Sequence, residues 1–134
     1  MLNRVQVIGN LGADPEIRAA GGTNVANLNV AVTEKWKDKN SGEARERTEW
    51  VRCTLWGGLS DVIERLGVRK GDRVYVEGKM ETRKWQDKEG NDRYTTEVVA
   101  RGFDGKFVAM SNGGGSSQGS QESNQQGLDD SIPF

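Results

Sequence analysis

Alternation of apolar residues at every second position limits what this chain can fold into. Val5 and Val7, then Leu28, Val30 and Val32, then Val51, Cys53 and Leu55, then Val74, Val76 and Gly78 follow this period. A period of two puts the repeated residues on one face of an extended strand, with the intervening ones on the other. Two further stretches, residues 93–101 and 106–110, read as strands as well. Only LSDVIERL, residues 59–66, has helical spacing: Leu59, Val62, Ile63 and Leu66 fall on one face, and Gly67 is placed to end the helix. Gly9, Gly12 and Pro15 bend or end the first strand, and Gly21-Gly22 marks a second turn. Many short strands, one short helix and frequent glycines predict a small all-β barrel rather than a parallel sheet.

Residues 112–127, NGGGSSQGSQESNQQG, have no aliphatic or aromatic side chain to bury. Such a stretch cannot offset its ordering entropy, so it is expected to be a flexible linker. It divides the chain into a folded domain (1–111), a linker (112–128) and a tip (129–134). The tip, Asp129, Asp130, Ser131, Ile132, Pro133 and Phe134, joins acidic charge to apolar side chains. A pocket that takes the carboxylate and the Phe134 ring would dock it, so the tip reads as bait for another protein.

Composition narrows the chemistry. Histidine is absent and Cys53 is the single cysteine, which leaves no disulfide, no thiolate zinc site and no His general base within one chain. A lone cysteine also makes a reducing compartment the default. Apolar runs are too short to span a membrane, and nothing at Met1 reads as an export signal. The net charge is -1, but the tail holds three of the 20 acids (Glu122, Asp129, Asp130) and none of the 19 bases, leaving a body of about +2. A nucleic-acid site on such a body must rely on local clustering and on something besides charge.

Three clusters combine aromatic rings with cations. In TEWVRCTLWG, residues 48–57, alternation puts Val51, Cys53 and Leu55 on the core face, and Thr48, Trp50, Arg52, Thr54 and Trp56 on the other. Two indoles with a guanidinium between them can stack on bases and meet a phosphate. Burial on both faces, or a subunit interface, remains an equal reading of that strand alone. In RKWQDKEGNDRYTTEVV, residues 83–99, a hairpin centred on Glu89-Gly90 would put Trp85 opposite Tyr94, and Lys84 opposite Thr95. That pair serves stacking or simply holds the hairpin. In TEKWKDKNSGE, residues 33–43, Trp36 stands among Lys35, Lys37 and Lys39 on a polar loop or hairpin tip. The carboxylates are scattered beside Lys or Arg, the pattern of a solvated surface, so no metal or acid–base site is expected and Cys53 reads as an inert core residue. Three such clusters fit a track for a flexible polyanion better than a pocket.

These blocks resemble the bacterial single-stranded DNA-binding protein family over essentially the whole chain. The matching stretches are LNRVQVIGNLGADPEIR, VANLNVAVTEKWKDKNSGE, TEWVRCTLWG, KGDRVYVEG, TRKWQDKEGNDRYTTEVV and the terminal DDSIPF. The resemblance implies an OB-fold, a five-stranded Greek-key barrel, assembled as a homotetramer around which single-stranded DNA wraps. It implies a cytoplasmic, nucleoid-associated protein that is not an enzyme and needs no cofactor. Trp36, Trp50, Trp56 and Trp85 would stack on bases, and the tip would dock replication and repair proteins.

Three departures stand out: Trp56 where the family commonly has Phe, Val51 where many members have His, and a 66–71 turn about one residue longer and without the usual Tyr. The linker is also short for the family, which hints at a phage- or plasmid-borne copy. An assembly adaptor on the same barrel, an RNA-binding barrel of the cold-shock type and a nuclease are the rival readings. The DDSIPF tip argues against the first, and the missing His and clustered acids against the last. Stacking alone does not separate RNA from DNA.

Overall fold

The computed structural model describes residues 1–110, so the expectations for the linker and the tip lie outside the described residues. Seven strands and one helix follow in the order β1 (Val5–Leu11), β2 (Glu16–Ala20), β3 (Thr23–Lys37), β4 (Ala44–Trp56), α1 (Gly58–Leu66), β5 (Arg73–Gln86), β6 (Asp92–Ala100) and β7 (Lys106–Met110). Five of them form a ring, β1-β3-β4-β6-β5, which a β5–β1 pairing closes. β2 adds to β3, and β7 adds to β5. This is the expected OB-fold barrel, with two extra strands on its rim.

The alternating residues fill the barrel. Leu28, Val30, Cys53, Leu55, Val74 and Val76 are fully buried, and Val51 and Val32 pack against them. Ile63 of α1 plugs the same core while Leu59 is partly buried, as the helical spacing predicts. Leu66 departs from that expectation: it sits in the last turn and is 51% exposed. Gly67 ends the helix in a left-handed conformation, φ 67°, its N–H donating to the Ile63 and Glu64 carbonyls. Among the described residues no helix is long and apolar enough to cross a membrane.

Two hairpins run past the barrel as arms, where the alternation ends and both faces become wet. The first joins β3 to β4 and the second joins β5 to β6. Hydroxyl pairs cross each ribbon, Thr33–Thr48 at 2.9 Å and Thr82–Thr96 at 2.9 Å. An aspartate builds each tip. Asp38 accepts from the Asn40 N–H (3.0 Å) and the Ser41 hydroxyl (3.1 Å), and Asp87 from the Glu89 and Asn91 N–H groups (2.9 and 3.0 Å). These bonds hold both carboxyls below the ordinary carboxylate range, the Asn40 N–H contributing most at Asp38 and the Asn91 N–H at Asp87.

The second arm corrects the expected hairpin register by one residue. Trp85 pairs with Arg93 and Lys84 with Tyr94, because the connection from Asp87 to Asn91 centres on Glu89 rather than on the Glu89-Gly90 bond. Asp87 drives this by accepting backbone N–H groups inside the turn, while Gly90 takes a φ of 82°. Trp85 and Tyr94 therefore lie on opposite faces of the ribbon and do not form the expected pair.

Candidate nucleic-acid interface

Register parity sorts the aromatic residues. The core residues Leu28 and Val30 on β3 and Val74 and Val76 on β5 occupy even positions, so odd positions there face outward. On β4 the core residues Val51, Cys53 and Leu55 are odd, so Trp50, Arg52, Thr54 and Trp56 face outward together. Trp85, at an odd position of β5, shares that outer face, as do Arg83, Arg93 and Thr95. Trp36 sits at an even position and takes the reverse face of its arm, beside its cross-strand neighbour Arg45. The expected four-indole track is thus divided: Trp50, Trp56 and Trp85 lie on the outer face with Lys35 and Lys37, whereas Trp36 lies behind it. Tyr94 and Lys84 share the reverse face of their own arm.

The indoles on this face are open where they need to be. Trp50 is 63% exposed and Trp85 41%. Ala31 lies opposite Trp50 across the ladder and leaves its ring uncovered. The ring's other side lies against Gly12, where an added Cβ would fall 2.3 Å from a ring carbon. A side chain at that position would displace the ring. Trp85 is fixed by its indole N–H, which donates to the Thr95 hydroxyl at 2.8 Å. Trp36 is 48% exposed, so its solvent access matches theirs and only its side of the ribbon differs.

Beside Trp56 lies an open groove of about 250 Å³ across β2, β3, β4, β6 and β5. Trp56 walls one side, and Arg18, Arg83 and Arg101 bring guanidiniums to it. Glu97 forms part of its floor and is 7% exposed. It accepts from the Thr54 hydroxyl at 2.8 Å and from Arg83 Nε at 3.0 Å, and Arg52 Nε stands 3.7 Å away. Glu77 is equally buried, accepting from the Tyr75 hydroxyl at 2.5 Å and pairing with Arg4. These two acids depart from the solvated-surface pattern expected for the carboxylates. They are enclosed because arginines lie over them, Arg52 and Arg83 from the strands beside Glu97 and Arg4 from just before β1 over Glu77.

Charge on the face is largely compensated. Arg101 bonds Glu81 at 2.8 Å, Arg93 bonds Asp87 at 3.0 Å, and Arg83 and Arg52 share Glu97. Lys35, Lys37 and Lys39, with Arg18 in the groove, have no acid partner among the described residues and supply uncompensated cations. The sequence pointed to the indoles, these lysines and Arg83, but not to Arg18, Glu97, Gly12 or Asn27, which lines the groove and stands 3.2 Å from the Thr54 hydroxyl. Gly12 was legible only as a turn signal, and Glu97 only as one charged residue among many. No group of acids, histidines and cysteines that could hold a metal occurs among the described residues.

Comparison with known proteins identifies the family. The sequence matches the Single-strand binding protein family over residues 2–107. It is 49% identical over 120 residues to a single-stranded DNA-binding protein of Rhizobium meliloti, covering 88% of this chain and 68% of that one. A single-stranded DNA-binding protein of Rickettsia typhi is 42% identical over 149 residues, covering 99% of this chain and 97% of that one. Among solved structures, the Plasmodium falciparum SSB in complex with ssDNA superposes with a TM-score of 0.73 at 32% identity, covering 83% of this chain and 96% of that one. The hint of a phage- or plasmid-borne copy finds no support in these relatives. A closed five-strand ring with two rim strands, matched along nearly all of its described length, places this chain in the Single-strand binding protein family.

Proposed function

We propose that this protein binds single-stranded DNA on the outer face of the barrel without reading its sequence. Bases would stack on Trp50, Trp56 and Trp85, and phosphates would meet Arg52, Arg83, Lys35 and Lys37. The observation that carries the reading is the common face of those three indoles, with Trp50 and Trp85 exposed, Trp56 lining the groove, and guanidiniums among them. Stacking is sequence-tolerant because every base has a π-face. The largely compensated charge fits an interaction that leans on stacking more than on counterion release. Trp36 is a secondary contact, reached where the strand passes around the edge of its arm, and Tyr94 and Lys84 are secondary in the same way. The relatives' names and the solved complex, described as bound to ssDNA, point the same way.

The finer parts of the reading go with the family. The protein acts without catalysis, coating strands exposed during replication, recombination and repair in the cytoplasm, in association with the nucleoid. It assembles as a homotetramer. β1 supports self-association, since it pairs with β3 only at Asn10 and Leu11 and leaves residues 5–9 unpaired along that edge among the described residues. The tip, Asp129, Asp130, Ile132, Pro133 and Phe134, recruits replication and repair proteins. Titration with a long oligo-dT, followed by Trp fluorescence with duplex DNA as control, tests the core of the reading. Quenching by oligo-dT alone is expected; no quenching by oligo-dT overturns it.

A further inference from the structure

We infer that Glu97 is a positioning residue that sets how the protein meets phosphate, by holding the Arg52 and Arg83 guanidiniums in one clamp. The inference rests on the DNA-binding reading and deepens it. Glu97 joins three strands at the centre of the outer face: its own β6, β4 through Thr54 and Arg52, and β5 through Arg83. The carboxylate is 7% exposed, whereas each arginine side chain is 49% exposed. Both guanidiniums turn their Nε edge toward Glu97. The carboxylate therefore hydrogen-bonds one edge of the Arg83 fork, stands as an ion pair beside the same edge of Arg52, and leaves the rest of each exposed side chain to a ligand. A guanidinium presents several donors in a rigid planar fork, so one edge can be anchored while another binds an oxyanion.

Two consequences follow. The pair of arginines acts as a single net cation in the free protein, because one carboxylate compensates one of them. Each guanidinium is also held near its binding geometry before DNA arrives, so less side-chain freedom is lost on association. Removing the negative charge while keeping the shape separates these effects. Glu97→Gln keeps an acceptor for Thr54 and releases one further cation to the face. The clamp predicts that oligo-dT binding then grows steeper with salt, its log–log slope changing by about -0.7 for one more phosphate neutralised. Binding should tighten at low salt and weaken at high salt, where the lost pre-organisation dominates, so the curves of variant and wild type cross.

The reciprocal variants act through the same net cation. Arg52→Gln or Arg83→Gln each removes it, so either flattens the slope by about 0.7, and the double variant flattens it little further. These arms stand if Glu97→Gln does not fold, which a thermal melt reports. The experiment measures oligo-dT affinity against salt for wild type and the variants. A crossing Glu97→Gln curve, or non-additive arginine variants where Glu97→Gln does not fold, supports the clamp. An unchanged slope in a folded Glu97→Gln protein, a uniform loss at every salt concentration, or additive arginine variants overturns it. If the wild type itself fails to bind oligo-dT, the functional reading fails and the clamp with it. If the wild type binds and the slopes stay put, the clamp alone fails.

Discussion

The two arms are built alike and differ in one respect. Each ends in an aspartate-held turn, each is crossed by a threonine pair, and in each an arginine returns to the tip aspartate: Arg45 at 3.3 Å from Asp38, and Arg93 at 3.0 Å from Asp87. Each also presents a half-exposed tryptophan. Trp85 stands on the outer face, fixed by Thr95, while Trp36 stands on the reverse of its ribbon. The side taken depends on parity alone, the number of residues between the indole and the last core residue on the same strand. An arm continues its strand without a bulge, so the barrel's inside–outside alternation is carried to the tip. The same aromatic-plus-basic composition therefore serves two different surfaces.

The largest expected effect sharpens that contrast. Trp50→Ala and Trp85→Ala should each weaken oligo-dT binding by about 1–3 kcal/mol with the fold intact, and Trp36→Ala should weaken it less. Equilibrium titrations beside thermal melts check this. Equal losses at Trp36 and Trp85 would break the comparison, and a variant that unfolds but binds normally when folded would make its indole structural.

A smaller loss is expected from the groups that hold the indoles. Thr95→Val deletes the acceptor of the Trp85 indole N–H and should cost about 0.5–1.5 kcal/mol in binding. Trp36 has no such bond among the described residues and should not respond. Gly12→Ala introduces a Cβ into the Trp50 ring and should weaken binding by up to about 1 kcal/mol, a fraction of one stack. Titration of both variants in parallel with Trp50→Ala tests whether the loss runs through the ring.

Acid should treat the two arms alike, which tests their common build rather than their difference. Asp38 and Asp87 both have folded pKa values below the unfolded one. A depressed carboxyl contributes stability that is present in full above its unfolded pKa, about 3.9, and is lost as pH falls through the folded value. Protection of the Asn40, Glu89 and Asn91 amides, taken relative to their intrinsic exchange rate, should thus hold at neutral pH and fall only below about pH 4. Loosening of one tip well above that range would separate the arms.

The smallest effect concerns the inside of β4. Burial, helped by the negative charge of Glu97, pushes the Cys53 thiol up to about 12. Thiol reagents at neutral pH should leave it unmodified in the folded protein, with no change in DNA binding, and react only on unfolding. Modification of the native protein would show that the core face of β4 opens.

What could be read from the sequence follows from the range of the forces involved. The division of β4 into Val51, Cys53 and Leu55 inside and Trp50, Arg52 and Trp56 outside is local and alternating, and the fold keeps it. The bounds of β7 and the end of α1 at Gly67 were legible for the same reason. β2 was not, since EIRAA shows no alternation and becomes a strand only by pairing with β3. The Trp85 register failed because the turn is set by the Asp87 side chain, which composition does not reveal. The parity of Trp36 was available by counting from Leu28 and Val30 along an unbroken strand. Glu97 needed the tertiary structure, because its partners come from β4 and β5.

The central claim is that single-stranded DNA lies on the outer face carrying Trp50, Trp56 and Trp85. The four tryptophans can be replaced by 5-fluorotryptophan and followed by ¹⁹F NMR, each line assigned by a Trp→Phe variant. The account predicts that oligo-dT shifts the Trp50, Trp56 and Trp85 lines strongly and the Trp36 line less, while duplex DNA leaves all four in place. A Trp36 line that moves most, or four lines that do not respond to oligo-dT, would contradict it.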